Sequence, residues 1–461
     1  MASFADSARL LKDQLQRSGA ALLTLLDEQR INAISCEVNH AWRDCFWRPA
    51  IVILTFLRQV LQRDCSCRAA VAETLADRCS LYSEHQCPSA DPSAYSQARQ
   101  RLPLMLLQRL SAALASQLAE PNRRWRGHRV RVVDGSGVSA PDTPSLQEAY
   151  PQSLSQKPGC GFPLIQLVGL FCWASGALLE LVYDARTVGE LQLFRRLLTF
   201  FESGDIVVAD RLYGTYCELA LLRQRGADGV FRLHNARRVD LREGQRLGPG
   251  DRRVVWKRPD RMPLGLSPEV WTMIPEYLTV RLIRRITADR QGFRRRRLDL
   301  VTTLLDPDAY PAENLAELYR DRWRVELSLR SLKITQGMDR LRCRSPHMVR
   351  KELMLQQIAY NLVRLLMREA GTIHSVDPHR LSFAGTSQRL RARLPFLLSC
   401  QNPITLDHWL RSLLHDIAAD TVPHRPGRKE PRALKRRHQA YPYLTRPREI
   451  ARYMACYDGA P

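Results

Sequence analysis

The spacing of apolar residues predicts that the first quarter of the chain is helical. Apolar residues recur every three or four positions in LQRSGAALLTLLDEQRI and from Trp47 to Val60, which is the spacing of one helix face. After an interruption at residues 89–93, the same spacing resumes in AYSQARQRLPLMLLQRLSAALASQL, with Ser93 as a candidate N-cap. Arg99, Gln100 and Arg101 in this stretch could face a phosphate backbone or could form an ordinary solvated face. We expect residues 1–125 to be a helical, DNA-binding region.

The pattern then changes to short apolar runs separated by turn residues, which is typical of strands. The run HRVRVVDGSGVSA (128–140) predicts a strand that ends at Asp134 and a glycine turn. The elements predicted after it are strands at 162–173 and 177–185, a helix at 188–202, a strand at 205–209 that ends at Asp210, a helix at 216–225 and a strand at 229–233. Three strands, a helix, a strand, a helix and a strand is the order of a ribonuclease-H-like sheet, so we expect an α/β fold with its first core part at residues 126–235.

A β-rich insertion is predicted at residues 236–298, because Arg, Gly and Pro are frequent there. The predicted strands are short, at 253–256, 277–286 and 295–305. The last of these strands is expected to return to the main sheet. Residues 299–370 then supply the second part of the core, with helices at 312–333 and 348–368. Residues 371–461 are predicted to be a helical region with a basic, proline-rich tail from Val422 to Arg448.

The charge of the chain points to a polyanionic partner. Lys and Arg number 70 against 47 Asp and Glu, a formal net charge of +23. Nucleic acid is the leading candidate and an anionic membrane surface the rival, although no amphipathic anchor or lipidation signal is found. The apolar stretch from Pro163 to Val182 is broken at Ser175-Gly176 and predicts two buried strands, so no membrane partner is expected.

The 12 cysteines favour a reducing compartment over a disulfide framework. They are scattered, six lie within the first ninety residues, and none forms a CxxC pair. Reduced, buried thiols explain them best, and a small metal site in the N-terminal region is the alternative. With no secretory signal in the first residues, we expect the protein in a bacterial cytoplasm, at the nucleoid when it is bound to DNA.

Two aspartates stand at positions where a carboxylate needs compensation. Asp134 and Asp210 each follow an apolar strand directly, and a charge at the edge of a buried strand is costly unless it is paired. A divalent cation such as Mg²⁺ compensates it with hard oxygen ligands. Either aspartate alone could equally cap a turn.

A glutamate on the helix predicted at 312–333 supplies a third carboxylate. Tyr319, Arg322, Glu326 and Lys333 are spaced 3, 4 and 7 residues apart, which places them on one helix face. This face could hold a metal ion with Glu326 and phosphates with Arg322 and Lys333. The alternative is an exposed, salt-bridged helix surface.

The spacing Tyr319-x2-Arg322-x3-Glu326-x6-Lys333 matches the Y-R-E-K signature of the insertion-sequence-four family of DDE transposases. The segments VVDGSGVSAPDTP, SQKPGCGFPLIQLVGL and DIVVADRLYGTY also resemble motif regions of that family, and HRPGRKEPRALKRR is similar to its C-terminal ends. The resemblance covers most of residues 128–450 and is weaker in the N-terminal helical part.

The resemblance implies a function and a set of site residues. Asp134, Asp210 and Glu326 would be the catalytic acids that hold two Mg²⁺ ions, with Mn²⁺ as a substitute, and Tyr319, Arg322 and Lys333 would contact the transposon-end backbone. The reaction implied is cut-and-paste transposition through a DNA hairpin. Transposon-end DNA with terminal inverted repeats and target DNA would be the partners, bound by a homodimer.

Two alternatives and one family feature stay open. A metal-dependent nuclease without strand transfer, or a non-catalytic DNA-binding relic, could have a similar sequence. Some family members stack a flipped base on a tryptophan; Trp256, Trp271 and Trp323 are candidates here, although core packing is expected for each. Asp142 lies near Asp134 in the sequence but is interpreted as a turn residue.

Overall fold

The computed structural model describes residues 27–62, 66–78, 88–119, 124–234, 237, 240, 242–287, 296–399, 402–423 and 444–457. Most of the first predicted helix and most of the basic tail lie outside these residues. The chain divides into two compact units. The helical unit takes its described residues from Met1–Ser111, Gly137–Ile165 and Ile334–Pro461, and the sheet unit from Ala112–Ser136 and Gln166–Lys333. Because each unit combines separate stretches of chain, the five regions expected from the sequence remain a prediction.

Helices and strands are numbered in chain order. The strands are β1 (Val130–Ser139), β2 (Leu164–Cys172), β3 (Leu178–Ala185), β4 (Ile206–Ala209), β5 (Asp228–Arg232), β6 (Gln245–Gly248), β7 (Asp251–Lys257), β8 (Tyr277–Thr287) and β9 (Arg296–Thr302). The helices are α1 (Glu28–Glu37), α2 (Pro49–Leu61), α3 (Cys67–Arg78), α4 (Ser93–Arg101), α5 (Leu104–Ala119), α6 (Pro144–Ala149), α7 (Glu190–Arg196), α8 (Tyr216–Gln224), α9 (Pro268–Met273), α10 (Ala312–Asp321), α11 (Trp323–Arg330), α12 (Pro346–Ile373), α13 (Phe383–Ser399), α14 (Pro403–Ala419) and α15 (Arg448–Tyr457).

All nine strands of the described residues join one sheet, in the order β3-β2-β1-β4-β5-β9-β8-β7-β6. The first five strands and their helices follow the element order predicted for a ribonuclease-H-like core. β4 is parallel to both β1 and β5, and all four of its residues are buried. A short apolar strand without alternation is what burial on both faces requires.

The apolar residues of the central strands alternate between two hydrophobic clusters. In β4, Val207 and Ala209 belong to one cluster, whereas Ile206 and Val208 belong to the other. This is the two-residue period of a strand whose faces are both covered. The first cluster includes residues of α7 and α8, and the second includes residues of α10. Helices therefore pack on both faces of the sheet and fix the ends of β1 and β4.

The predicted β-rich insertion is present but does not form a separate sheet. β9 pairs antiparallel with β5 and returns to the main sheet, as predicted. β8, β7 and β6 then extend the same sheet outward by antiparallel pairing. The weak apolar pattern of β6 and of the short helix α9 did not predict either element.

Several predicted boundaries were wrong for local reasons. β1 does not end at Asp134 but continues through Gly135 and Gly137 to Ser139, so no glycine turn follows the acid. The helix predicted over 94–118 is interrupted at Pro103, which has no N–H to continue it. Ser93 is the first helical residue rather than the N-cap, and its N–H donates to the Asp91 side chain.

The helical unit is organised by two long buried helices. Every residue of α2 is buried, and α2 contacts α12, which also contacts α13 and α14. α12 begins with Ser345 as N-cap and Pro346 as its first residue, a combination that favours a helix start. In the part of the chain that the structure describes, no helix is long and apolar enough to cross a membrane.

Arg99 does not face solvent as the sequence allowed. Its guanidinium lies over the Phe56 ring at 4.6 Å and donates a hydrogen bond to Gln59 at 2.9 Å. Arg101 and Gln100 are exposed. A phosphate contact on α4 is therefore left to these two residues.

Candidate active site

Asp134 and Asp210 occupy equivalent positions on neighbouring strands. In the parallel pairing of β1 with β4, Val133 is opposite Ala209, so the next residue of each chain segment is one of the two aspartates. Neighbouring strands lie about 4.8 Å apart, which brings the carboxyl groups to the same edge of the sheet. The Asp210 carboxylate also accepts a hydrogen bond from the Leu212 N–H at 2.6 Å. The middle of β1 and the end of β4 thus supply two adjacent acids.

The environment of Asp134 disfavours its negative charge. Burial raises the pKa of Asp134 to about 6, and the carboxylates of Asp210 and Glu326 act in the same direction. Arg322 and the Gly135 N–H oppose this shift. Because a charge shifts the pKa of another group mainly at short range, Asp210 and Glu326 lie close to Asp134. A buried carboxyl with two acids nearby is a place where a cation would bind favourably.

The helix that carries Glu326 differs from the single regular helix predicted over 312–333. α10 ends at Asp321 and α11 begins at Trp323. At the junction, the N–H of Arg322 donates to the carbonyl of Tyr319, three residues before it. After α11, the helical segment ends in a π-helical turn, Ser331–Thr335, which contains Lys333. Such turns are frequent at functional sites.

Arg322 links two of the three acids. Its guanidinium lies 2.6 Å from a carboxylate oxygen of Glu326 and 3.6 Å from one of Asp134. The Arg322 side chain is 15% exposed, whereas that of Glu326 is 60% exposed. Glu326 can therefore reorient at little cost, while Arg322 is held between the sheet and the helix.

The remaining two signature residues lie at either side of this pair. Lys333 donates a hydrogen bond to the Ser136 hydroxyl at 2.9 Å, which ties the π-helical turn to β1. Tyr319 is only 8% exposed and belongs to the cluster that contains α10. A DNA contact by Tyr319 would be confined to the small exposed part of its side chain.

The carboxylates fit a divalent cation in their chemistry, but they are not assembled into a finished metal cage. Oxygen-only ligands suit Mg²⁺ or Mn²⁺, and Asp134, whose pKa is raised first by burial and then by Asp210 and Glu326, would gain from a nearby cation. Among the described residues, no three Asp, Glu, His or Cys side chains are close enough to hold a metal ion by themselves. The Glu326 carboxylate would first have to leave Arg322.

Comparison with known proteins identifies the family. The Transposase DDE domain family matches residues 125–362. The chain belongs to the DDE transposases. It is 28% identical over 369 residues to the InsG transposase of insertion sequence element IS4 from Escherichia coli (strain K12), which covers 77% of this chain and 79% of InsG. The resemblance to the insertion-sequence-four family is thereby confirmed. A cryo-EM structure of the piggyBac transposase synaptic complex with hairpin DNA aligns with 88% of this chain and 86% of its own, at a TM-score of 0.43 and 10% identity.

Three polar residues beside the acids of this transposase were missed in the sequence. Gln166, Glu190 and Tyr213 form a hydrogen-bonded group next to Asp134 and Asp210. Gln166 gave the only usable signal, since it interrupts an otherwise apolar strand. Glu190 resembles any acid in the first turn of a helix, and Tyr213 resembles any loop tyrosine.

The three tryptophans considered as candidates for base stacking, Trp256, Trp271 and Trp323, differ in exposure. Trp256 is buried in the cluster that contains α7 and α8, and Trp271 packs against that cluster. Core packing was therefore the right prediction for these two. It was wrong for Trp323, the first residue of α11, which is 52% exposed.

Asp142 takes no part in the acid group. Its carboxylate accepts hydrogen bonds from Arg448 at 2.7 Å and from Gln147 at 2.8 Å. These contacts belong to the helical unit, and Asp142 lies in the irregular segment just before α6 rather than in a turn.

Proposed function

We propose that this transposase moves an insertion sequence by a cut-and-paste reaction in which Asp134, Asp210 and Glu326 are the metal-binding catalytic acids. The observation that carries the proposal is the register of β1 and β4, which gives Asp134 and Asp210 the same position on adjacent strands. Glu326 joins them through its contact with Arg322. The family match supports transposition as the reaction class.

Two Mg²⁺ or Mn²⁺ ions held by these acids would supply activation of the attacking oxygen and stabilisation of the leaving oxygen in phosphodiester cleavage. The chain itself prepares the site by placing Asp134 and Asp210 directly after the paired residues Val133 and Ala209, in a sheet that is covered by helices on both faces. Burial of Asp134 excludes part of the water that would otherwise screen its charge.

Arg322 and Lys333 are the proposed phosphate-binding residues, with Tyr319 beside them. In the described arrangement Arg322 forms ion pairs with both Glu326 and Asp134. A transposon-end phosphate would compete for this guanidinium and release both carboxylates. Metal binding and DNA binding would then favour one another. A phosphate that takes Arg322 frees the carboxylates for a metal ion, and a metal ion that takes the carboxylates frees Arg322 for a phosphate.

The reaction would proceed without a covalent protein–DNA intermediate. Water attacks a phosphodiester bond at the transposon end and leaves a free 3′-hydroxyl. That hydroxyl attacks the phosphodiester of the opposite strand, which forms a hairpin on the transposon end and releases the flanking strand with its own 3′-hydroxyl. A second water opens the hairpin to a 3′-hydroxyl and a 5′-phosphate. The transposon 3′-hydroxyl finally attacks a target phosphodiester and releases the 3′-hydroxyl of the target strand. The two ends would be paired by a homodimer, with residues 1–125 contributing to end recognition.

Of the three candidate tryptophans, Trp256, Trp271 and Trp323, only Trp323 is exposed enough to stack on an extruded base. It precedes Glu326 by less than one helical turn, so a stacked base would lie beside the acids. Trp256 and Trp271 would have to leave hydrophobic packing to do the same.

The products formed in Mg²⁺ from DNA carrying the inverted repeats that flank the reading frame test this function. A transposase yields the excised element, a hairpin-ended species and joined target molecules. A plain nuclease yields hydrolysed ends and no joined molecules, and a non-catalytic relic binds the ends without cutting them. Either of the last two results would contradict the proposal.

A further inference from the structure

Glu190 is a fourth acid near the strand ends and has a defined pair of hydrogen-bond donors. It is the first residue of α7. One carboxylate oxygen accepts from the Gln166 amide at 3.0 Å, and the other accepts from the Tyr213 hydroxyl at 3.2 Å. Both oxygens of the Glu190 side chain are therefore engaged by neutral groups of the chain.

The Gln166 side of this group leads to Asp134. The same Gln166 amide nitrogen donates to the Ser136 carbonyl at 3.2 Å. A Cβ atom at Gly135 would lie 2.3 Å from a Glu190 oxygen, which is closer than any real contact of this kind. The Glu190 carboxylate thus packs directly against the backbone that follows Asp134, and a side chain at position 135 would displace it from this place.

The Tyr213 side leads to Asp210. The Tyr213 N–H donates to the Asp210 carbonyl at 3.3 Å, so both residues belong to one turn. The Tyr213 ring is 1% exposed and lies 5.2 Å from the Phe194 ring of α7. A buried, packed tyrosine leaves its hydroxyl little freedom to find another acceptor.

We propose that Glu190 is a positioning residue that couples the β1 segment carrying Asp134 to the turn carrying Asp210. The inference rests on the proposed function of the two aspartates. Strand pairing holds β1 and β4 together as far as Val133 and Ala209, but Asp210 and the turn after it lie beyond β4. Glu190 supplies the missing link, because one carboxylate accepts from the Tyr213 turn and from the Gln166 amide bound to Ser136. Removing it would leave two buried donors without their acceptor and let the aspartates separate.

Four variants test the coupling. Glu190→Ala removes both hydrogen bonds, Tyr213→Phe removes one, and Glu190→Gln keeps an oxygen that can accept from Tyr213. Glu180→Gln is the matched control: Glu180 is a half-buried acid of β3, and its oxygen accepts from the N–H of Leu181. Mn²⁺ affinity is measured by calorimetry on the full chain, alone and with transposon-end DNA, alongside DNA-end binding and the thermal unfolding midpoint.

Glu190→Ala is expected to weaken Mn²⁺ binding by about 10- to 100-fold, the usual effect of losing a group that orients a ligand. Tyr213→Phe should lose less, and adding it to Glu190→Ala should cost nothing further, because both act through one link. Glu190→Gln should fall between wild type and Glu190→Ala. DNA-end binding and the Glu180→Gln control should stay within about threefold of wild type, less than 1 kcal/mol.

Three results would overturn the proposal: wild-type Mn²⁺ affinity in Glu190→Ala, a loss in Glu190→Gln as large as in Glu190→Ala, or additive losses in the double variant. The second result would make Glu190 a metal ligand rather than a positioning residue. Asp134→Asn is measured in parallel. If Asp134→Asn also keeps wild-type affinity, the metal-binding function itself is wrong; if it alone loses affinity, only the role of Glu190 is wrong.

Discussion

At Asp134, folding and the proposed metal site place opposite requirements on one carboxyl group. Its position beyond Val133 places a carboxyl where burial and two other acids disfavour its charge. The sequence predicted the acid for the wrong local reason, since β1 does not stop there. What identified Asp134 was its place after an apolar run, and this held because the run forms the part of β1 paired with β4.

Asp134→Asn should stabilise the folded chain at neutral pH when no divalent metal is present. The folded pKa of Asp134, about 6, lies above its ordinary value of 3.8. The folded state therefore binds the proton more tightly than the unfolded state does. As the pH rises from about 4 to about 6, the free energy of unfolding falls because Asp134 ionises less readily in the folded state. We expect the free energy of unfolding to rise by about 1 to 3 kcal/mol at pH 7.5 in EDTA, and to change little at pH 4.

Urea unfolding at the two pH values measures this effect, with Asp142→Asn as the control. Partial burial of Asp142 is outweighed by hydrogen bonds from Gln147 and Arg448, which lower its pKa. Asp142→Asn should therefore destabilise at pH 7.5. An Asp134→Asn variant that also destabilises at pH 7.5 would show that Asp134 is well compensated without a metal ion.

At the scale of elements, the strand and helix order of the core could be predicted because burial on both sheet faces leaves a clear apolar pattern. The helix break at Arg322 and the extension of the sheet by β6–β8 could not. The break depends on a local hydrogen-bond shift, and the extension depends on β9 pairing with two strands at once. Such long-range pairings have no signature in the spacing of residues.

A buried ion pair connects the added strands to the helix that carries Tyr319. Arg281 of β8 is fully buried and lies 2.5 Å from the Asp251 carboxylate of β7. It also donates to the carbonyls of Leu304, Asp306 and Tyr310, in the loop that leads into α10. The insertion therefore holds the start of α10 in place.

Arg281→Leu should lower the free energy of unfolding by about 3 to 5 kcal/mol, because Asp251 would remain buried without its partner. Arg281→Leu combined with Asp251→Leu should recover part of this loss. Urea unfolding gives both values, and Arg196→Leu, which breaks the more exposed pair with Asp184, should cost no more than about 1 kcal/mol. A loss below 1 kcal/mol for Arg281→Leu would show that the Arg281–Asp251 pair contributes little to the free energy of unfolding.

For the whole molecule, the net charge of +23 points to a polyanionic partner but does not locate the surface that would bind it. Many of the arginines described here pair with acids or pack on aromatic rings, as Arg99 does. The charges available for DNA are fewer than composition suggests. The basic tail, much of which lies outside the described residues, holds seven Lys and Arg residues between 425 and 437.

Replacing these seven residues with glutamine should weaken DNA binding uniformly across sequences. If all of them contact phosphates, the slope of the logarithm of affinity against that of salt concentration should fall by up to about 6. Binding titrations at several salt concentrations measure the slope, with random-sequence DNA as the comparison. An unchanged slope would assign the tail to a role without DNA contact.

Strand cleavage at a transposon end tests the central claim most directly. Asp134→Ala, Asp210→Ala and Glu326→Ala are compared with wild type and with Asp142→Ala, in Mg²⁺ and in Mn²⁺, on the same end DNA. Each of the three variants should bind the end with near wild-type affinity and yield neither nicks, hairpins nor joined products, while Asp142→Ala retains all of them. Wild-type-like cleavage by any one of the three would contradict the assignment of these acids as the catalytic triad.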